Sequence, residues 1–361
     1  MIEDKVLVFC DYPINENEGG PIGYYNKCLY KNTPDNIILL KSVFTAKKQF
    51  SIIEKIRNKF RNRFKKNDLV NSTLHTKFIS LQCKEFKFFY FHSVYDLYDV
   101  LHLINEDQIV ILQSHSPELP SAERFKNGAN DYLLVRKIEK ISFKRANYLV
   151  FPNEDSMVIY NSVISDKHKI KFLTTGIKPI ESKVVLPLDN QKINILYIGR
   201  KNEIKGFYFL IESFKKASAF RDDIRLIIAG NGEKIIGKDI YDIGITDRPF
   251  DWINSVDFVI SLNKESYFDL NVIESICLGT PLIMTTSEGH TFFKNRRGII
   301  SVDYDNIIGV LMNKNLVNKN YKIENRAFLK QFYHEFLSDI VFKNNLNKMC
   351  TTILNNEVNH L

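Results

Sequence analysis

The stretch Ile193–Glu233, INILYIGRKNEIKGFYFLIESFKKASAFRDDIRLIIAGNGE, decides the fold. Ile193–Ile198 is a short apolar run rich in β-branched residues, the pattern of a buried strand. Gly199 and Arg200 end it. Lys205-Gly206 opens a helix whose Phe207, Leu210, Ile211 and Phe214 recur at helical spacing. Leu226–Ala229 reads as a second buried strand, stopped by Gly230-Asn231-Gly232. Two buried strands joined by a helix make a βαβ unit with parallel strands. Ligands of such sheets sit at the carboxyl ends of the strands, where Arg200, Lys205 and the Gly230–Gly232 loop all fall. Two cations beside a helix N-terminus favour a phosphate group.

This pattern resembles the second domain of GT-B glycosyltransferases, family 4 (glycosyl transferases group 1) in particular. In that family a G-R-x-x-x-x-K-G segment holds the diphosphate of a nucleotide-sugar, and A-G-x-G follows the next strand. Gly199, Arg200, Lys205, Gly206, Ala229, Gly230 and Gly232 match position for position. The resemblance implies that Arg200, Lys205, Gly230 and Asn231 bind the donor. Without it, one Arg and one Lys here read equally well as a solvated loop.

A second segment carries the same resemblance. Phe258–Leu262 reads as a buried strand, and Asp269 or Asn271 as the cap of a helix running to Leu278, stopped by Gly279 before the strand Leu282–Thr285. The segment between resembles the E-x7-E element of the family. There the second Glu holds the ribose hydroxyls and the first contacts the transferred sugar. Glu274 matches the second Glu, with Phe268 and Leu270 aligned. A carboxylate suits a diol because its two oxygens accept from both hydroxyls. The resemblance therefore implies that Asp269, Leu270 and Glu274 line the donor. The first Glu does not match: Ser266 stands there, Glu265 is one place early, and Asp269 replaces the central Gly. The sugar contact stays open among Glu265, Ser266 and Asp269. Ser287-Glu288-Gly289-His290 follows the next strand, again at the ligand edge, where the family often has a Gly-containing turn. Asp303-Tyr304-Asp305 mimics a metal-binding D-x-D but precedes the helix Ile307–Met312, so helix capping explains it.

The first half opens with the strand Lys5–Cys10 and a turn holding Gly19, Gly20 and Gly23. The resemblance places Gly20 beside the diphosphate. Phe86–His92 and Gln108–Gln113 read as strands with a helix, Asp96–Asn105, between them. His115 and His92 follow strand ends, so His115 is the first candidate for contacting substrate and His92 the second. A hydrogen-bonded structural histidine is the competing reading for each, and neither needs to titrate to donate. Tyr132–Ala146 reads as a helix, Tyr148–Phe151 and Lys169–Leu173 as strands, and Glu181–Gln191 as a linker.

Lys47–Lys66, KKQFSIIEKIRNKFRNRFKK, carries nine Lys or Arg and one acid. Phe50, Ile53, Ile56, Phe60 and Phe64 would share one helical face. It reads either as a surface helix packed on its own domain or as an interfacial helix on anionic lipid. Nucleic acid is a third reading, but no binding motif supports it. The net charge of +8 is uneven: residues 1–180 carry a net +7 and the rest +1. That fits an anionic partner for the first half.

The chain has 361 residues, which suggests two domains. Five scattered cysteines, Cys10, Cys28, Cys83, Cys277 and Cys350, form no C-x-x-C pair and point to a reducing compartment. No apolar run approaches the roughly 18–20 residues that span a bilayer. A soluble or peripheral cytoplasmic protein is expected, the peripheral form lying on the inner face of the plasma membrane.

The expected fold is α/β: GT-B, two doubly wound Rossmann-like domains facing each other across a cleft. Residues 1–182 would bind the acceptor and 192–330 the nucleotide-sugar, with 331–361 crossing back to the first domain. The resemblance implies a retaining glycosyltransferase moving a hexose-type sugar from a nucleotide-sugar, such as a UDP-sugar, to a saccharide or lipid-linked acceptor in cell-surface polysaccharide or lipopolysaccharide synthesis. His115, Arg200 and Lys205 would be catalytic, and no metal or other cofactor is expected. The competing readings are a GT-B nucleotide-sugar epimerase and a non-catalytic sugar-binding subunit.

Overall fold

The computed structural model describes residues 5–9, 28–29, 33–39 and 85–358. The expectations at Gly20 and its turn, at Cys10 and Cys83, and at Lys47–Lys66 lie outside the described residues. The chain divides into two compact units. The first is Met1–Phe151, Ile159–Leu173 and Lys343–Leu361; the second is Pro152–Val158 and Thr174–Phe342.

Among the described residues the first unit is built on a six-stranded sheet: β1 (Val6–Phe9), β2 (Ile37–Leu39), β3 (Phe88–Phe91), β4 (Ile109–Gln113), β5 (Tyr148–Phe151) and β6 (Lys169–Phe172). The order is β2-β1-β3-β4-β5-β6, every neighbour parallel. VLVF, FFYF, IVILQ and YLVF are buried along their whole length, as a parallel sheet covered on both faces requires. β6, KIKF, is an edge, and its two lysines blunt an open strand against stray pairing. Helix α1 (Val94–Val100) starts at Ser93, whose hydroxyl accepts from the Tyr95 amide. Helix α2 (Tyr132–Arg145) buries Val135, Ile138, Ser142 and Phe143, a stripe at helical spacing.

The second unit repeats the plan with β7 (Ile193–Ile198), β8 (Ile224–Ala229), β9 (Ile240–Gly244), β10 (Phe258–Ser261), β11 (Leu282–Thr285) and β12 (Ile299–Val302). All pairs are parallel, in the order β12-β11-β10-β7-β8-β9. Helix α3 (Phe207–Phe220) joins β7 to β8. Its Phe207, Leu210 and Phe214 share one buried cluster with Ile195, Tyr197 and Leu226 of those strands. Each such side chain taken fully out of water contributes roughly 1.5–3 kcal/mol. Because the order reverses between β7 and β10, the loops after these two strands flank the switch point, where doubly wound sheets bind ligands. Helix α4 (Leu270–Leu278) follows β10 and ends at Gly279 in a left-handed cap.

The doubly wound α/β expectation holds in each unit, but the expected boundaries move. The stretch after β6 joins the second unit because the Ile177 amide donates to the Leu337 carbonyl and the Asp339 amide to the Ile177 carbonyl, 2.9 and 2.8 Å. A Cβ on Gly176 would lie 2.5 Å from the Ser338 carbonyl oxygen, so the two stretches of backbone touch there. The last helix, α5 (Asp339–Val358), consequently starts in the second unit, and only its residues from Lys343 belong to the first. The described cysteines, Cys28, Cys277 and Cys350, are buried free thiols. Among the described residues no helix is long and apolar enough to cross a membrane.

Candidate active site

The loop from Gly199 to Gly206 leaves β7 and meets the end of β10. Gly206 takes φ +63°, and a Cβ there would fall 1.8 Å from the Leu262 carbonyl oxygen, so only glycine lets the two loops close. The amide of Lys205 donates to Asn202 Oδ1 at 3.0 Å, which fixes the turn before α3. A second loop closes on the first: a Cβ on Gly230 would lie 2.0 Å from the Gly199 carbonyl oxygen. The start of α4 is tied in by Asn271, whose Nδ2 donates to the Ile198 carbonyl at 3.2 Å. The βαβ turn, the Gly230 loop and the start of α4 therefore converge on the switch point.

Lys205 and Asp269 meet there. Lys205 Nζ lies 2.5 Å from Asp269 Oδ1, with the two side chains 18% and 23% exposed. Asp269 Oδ2 lies 3.0 Å from His290 Nε2 and accepts a hydrogen bond from Asn263 Nδ2. Burial works against the charge on Asp269, but the His290 hydrogen bond and the Lys205 charge outweigh it and hold the carboxyl well below its ordinary range. Asp269 occupies the N-cap position of α4, yet its side chain makes no capping hydrogen bond. The capping expectation is thus corrected: Lys205, His290 and Asn263 take up the carboxylate oxygens in place of the backbone amides of α4.

The other expected residues divide. Arg200 is exposed and its guanidinium has no ion pair among the described residues; its carbonyl accepts from Tyr197 Oη at 2.5 Å. Asn231 is exposed and Gly230 half-buried. Leu270 and Glu274 are half-buried on the first two turns of α4. Glu265 is half-buried. Ser266 is fully buried and its hydroxyl has no hydrogen-bond partner among the described residues.

Three consecutive residues lock the loop that contains these groups. Glu288 Oε2 accepts from the Ser266 amide at 2.7 Å, with Glu288 at φ +46°. A Cβ on Gly289 would lie 1.6 Å from the Tyr267 carbonyl oxygen. His290 reaches Asp269. The Ser287–His290 segment was legible as a turn at the ligand edge, but its partners were not. The Asp303-Tyr304-Asp305 segment is structural: Tyr304 Oη donates to the Leu262 carbonyl at 2.6 Å, and the Asp303 carbonyl accepts from the amides of Asn306 and Ile307. The helix that follows has Asn306 at its N-cap position and no side-chain cap, so the expected capping carboxylate is corrected to a capping carbonyl. Among the described residues no group of three or more His, Cys, Asp or Glu is placed to hold a metal.

In the first unit, His92 and His115 stand at the carboxyl ends of β3 and β4. His92 Nδ1 and His115 Nε2 are 2.7 Å apart, and the rings stack at 5.0 Å. Tyr90 stacks on His92 in turn, and its hydroxyl donates to Gln113 Oε1 at 2.5 Å. Burial pushes His115 down to about 4. Burial, then the neighbouring imidazole, pushes His92 well below its ordinary value. Both rings are neutral at pH 7. The two histidines read separately from the sequence are one hydrogen-bonded pair.

Residues 192–308, which carry the switch-point loops, match the family model described as glycosyl transferases group 1. Over these residues the chain is similar to the group 1 glycosyltransferases. A curated relative, an uncharacterized glycosyltransferase of Methanocaldococcus jannaschii, is 24% identical over 207 residues, covering 52% of this chain and 50% of the relative. The chain thus matches about half the length of that relative. Two solved structures align over nearly the whole chain. An apo structure of OtsA is 12% identical with a TM-score of 0.64, covering 96% of this chain and 99% of that one. HepE of Anabaena, solved in complex with UDP and glucose, is 9% identical with a TM-score of 0.63 over the same shares. The fold is that of the GT-B glycosyltransferases. Within the matched residues, the Lys205-Gly206 turn keeps the pattern read from the sequence, while Asp269 and Ser266 depart from it.

Proposed function

We propose that this protein is a retaining glycosyltransferase that moves a hexose-type sugar from a nucleotide-sugar to a saccharide acceptor in cell-surface polysaccharide or lipopolysaccharide synthesis. The observation that carries this reading is the convergence of Lys205, the Gly230 loop and the start of α4 at the switch point, within the residues that match the group 1 family. Such a place offers a cation, a helix N-terminus and backbone without side chains to a diphosphate. Glu274, one turn along α4, is assigned the ribose hydroxyls, and His115 a hydrogen bond to substrate. UDP is the first donor nucleotide to test, because the HepE structure of the same fold holds UDP.

In the proposed reaction the bond from the anomeric carbon to the diphosphate oxygen breaks, and the acceptor hydroxyl forms its bond on the same face. The acceptor proton passes to the departing diphosphate. Arg200 and Lys205 offset the charge that builds on the leaving group, an electrostatic form of catalysis. No protein nucleophile and no metal enters this scheme. The acceptor is assigned to the first unit; a lipid-linked acceptor at a membrane surface remains part of the proposal.

The pairing of Lys205 with Asp269 favours one alternative, a non-catalytic sugar-binding subunit, since one of the two cations is already neutralised. Release of nucleoside diphosphate from a panel of UDP- and GDP-sugars decides, with a Lys205→Ala variant as control. Turnover that needs an acceptor and is lost in the variant supports transfer. Binding without turnover supports the subunit, and conversion of the nucleotide-sugar without an acceptor marks an epimerase.

A further inference from the structure

We propose that Asp269 is the resident counter-ion of Lys205, and that its carboxylate weakens the binding of an anionic ligand at the switch point. This rests on the reading above, in which Lys205 faces a diphosphate. The geometry carries it in three steps. First, Lys205 Nζ and Asp269 Oδ1 are 2.5 Å apart at the carboxyl ends of β7 and β10, so the carboxylate stands beside the ammonium that would meet a phosphate oxygen. Second, the carboxylate is anchored without help from the lysine. Its other oxygen is held by His290 and Asn263, which come from segments after β11 and β10. Third, the anchoring segment is itself locked, because Gly289 packs on the Tyr267 carbonyl with no room for a side chain. Asp269 therefore keeps its place whether or not Lys205 is engaged.

An ammonium has three donors, so a phosphate can join the pair without breaking it. What the carboxylate removes is net charge. Of the two cations on this edge, Arg200 is exposed and carries no ion pair among the described residues, while Lys205 is offset. A diphosphate arriving here meets repulsion from Asp269 at close range, where unit charges interact by more than they do in water. Asp269 thus lowers the affinity for the donor and, equally, for a released nucleoside diphosphate. A competing account makes Asp269 a positioning residue that holds Lys205 ready. The two accounts differ in the sign of one measurement.

That measurement is the calorimetric affinity of the full chain for UDP, GDP and inorganic pyrophosphate, in wild type, Asp269→Asn and Lys205→Met. Asparagine keeps an oxygen to accept from His290, removes the charge, and turns an amide donor toward Lys205 in place of the acceptor. We expect Asp269→Asn to bind UDP and pyrophosphate about tenfold tighter, Lys205→Met to bind them more weakly, and the double variant to bind them tighter than Lys205→Met, because the repulsion acts without the lysine. If Asp269→Asn does not fold, Asp269→Ser, small and neutral, reads the same quantity. Weakening by Lys205→Met with unchanged or weaker binding in the Asp269 variants overturns the counter-ion role and leaves the proposed function standing. Binding of UDP that ignores Lys205→Met, or no binding of any of the three probes by wild type, overturns the proposed function and this inference with it.

Discussion

Lys201 Nζ lies 2.7 Å from Asp242 Oδ2, and the two side chains are only 3% and 1% exposed. The pair joins the loop after β7 to β9. Asp242 also accepts from the amides of Ile235 and Gly244, and Lys201 donates to the Glu233 carbonyl at 3.0 Å. One ion pair therefore ties the segment just beyond the Gly230 loop to both neighbouring strands. Burial opposes the charge on Asp242, but the Lys201 hydrogen bond and the two amides win and lower its pKa.

Removing one partner of this pair leaves a charge buried and unpaired. Lys201→Met is expected to destabilise the second unit by about 3–5 kcal/mol, and pairing it with Asp242→Leu to recover part of that loss. Trp252, the only tryptophan of the chain, lies in the second unit, so its fluorescence in urea follows the change. The sign with pH follows from the depressed Asp242 value. Its stabilisation is present in full above the ordinary carboxylate value near 4 and is lost as pH falls through the lower folded value. A Lys201→Met variant with an unchanged urea midpoint would show that the pair contributes nothing.

The His92–His115 pair predicts a different pH range and a different unit. Both folded values lie below the ordinary histidine value, about 4 for His115, so the unfolded chain takes up protons first. The stabilisation from neutral imidazoles is complete above about pH 6.5 and is lost as pH falls from there towards 4, by up to roughly 1.4 kcal/mol per pH unit for each ring. Urea unfolding followed by far-UV dichroism between pH 7.5 and 4 reads it. Replacing both histidines by phenylalanine keeps stacked rings and should flatten that slope. A slope untouched by the double replacement would place the sensitive groups elsewhere.

How much of this was legible beforehand depended on what each residue needed from afar. The strand Ile193–Ile198 and the Lys205-Gly206 turn could be read because apolar runs and glycines report local structure, and both stand where they were expected. β9 could not. In IYDIG the aromatic Tyr241 faces out and Asp242 is buried, an inversion of the usual pattern that makes sense only with Lys201 beside it. Asp269 read as a helix cap for the same reason: its partner Lys205 lies 64 residues away and His290 lies 21 away in the other direction, on separate loops. Charges whose partners come from other strands leave no local trace. The histidine pair was half legible, since each ring's place at a strand end could be read but not their contact.

Gly206 gives the sharpest test of how the candidate site is held. Alanine there meets two obstacles: a left-handed backbone at φ +63°, and a methyl 1.8 Å from the Leu262 carbonyl oxygen, with Tyr304 Oη 2.9 Å away. Gly244 separates them, because it has φ +68° in the same unit but nothing within 4 Å of an added Cβ. Gly244→Ala should cost only the backbone strain, about 1–2 kcal/mol. Gly206→Ala should cost clearly more, because β10 cannot retreat without disturbing its pairing with β7 and β11. If the loop yields instead, Lys205 moves with it, and UDP affinity drops even where stability is kept. Trp252 fluorescence in urea and calorimetry with UDP, run on both variants, read the two consequences separately. Equal effects of the two substitutions on both readouts would mean that the approach of Gly206 to Leu262 is not what holds Lys205 in place.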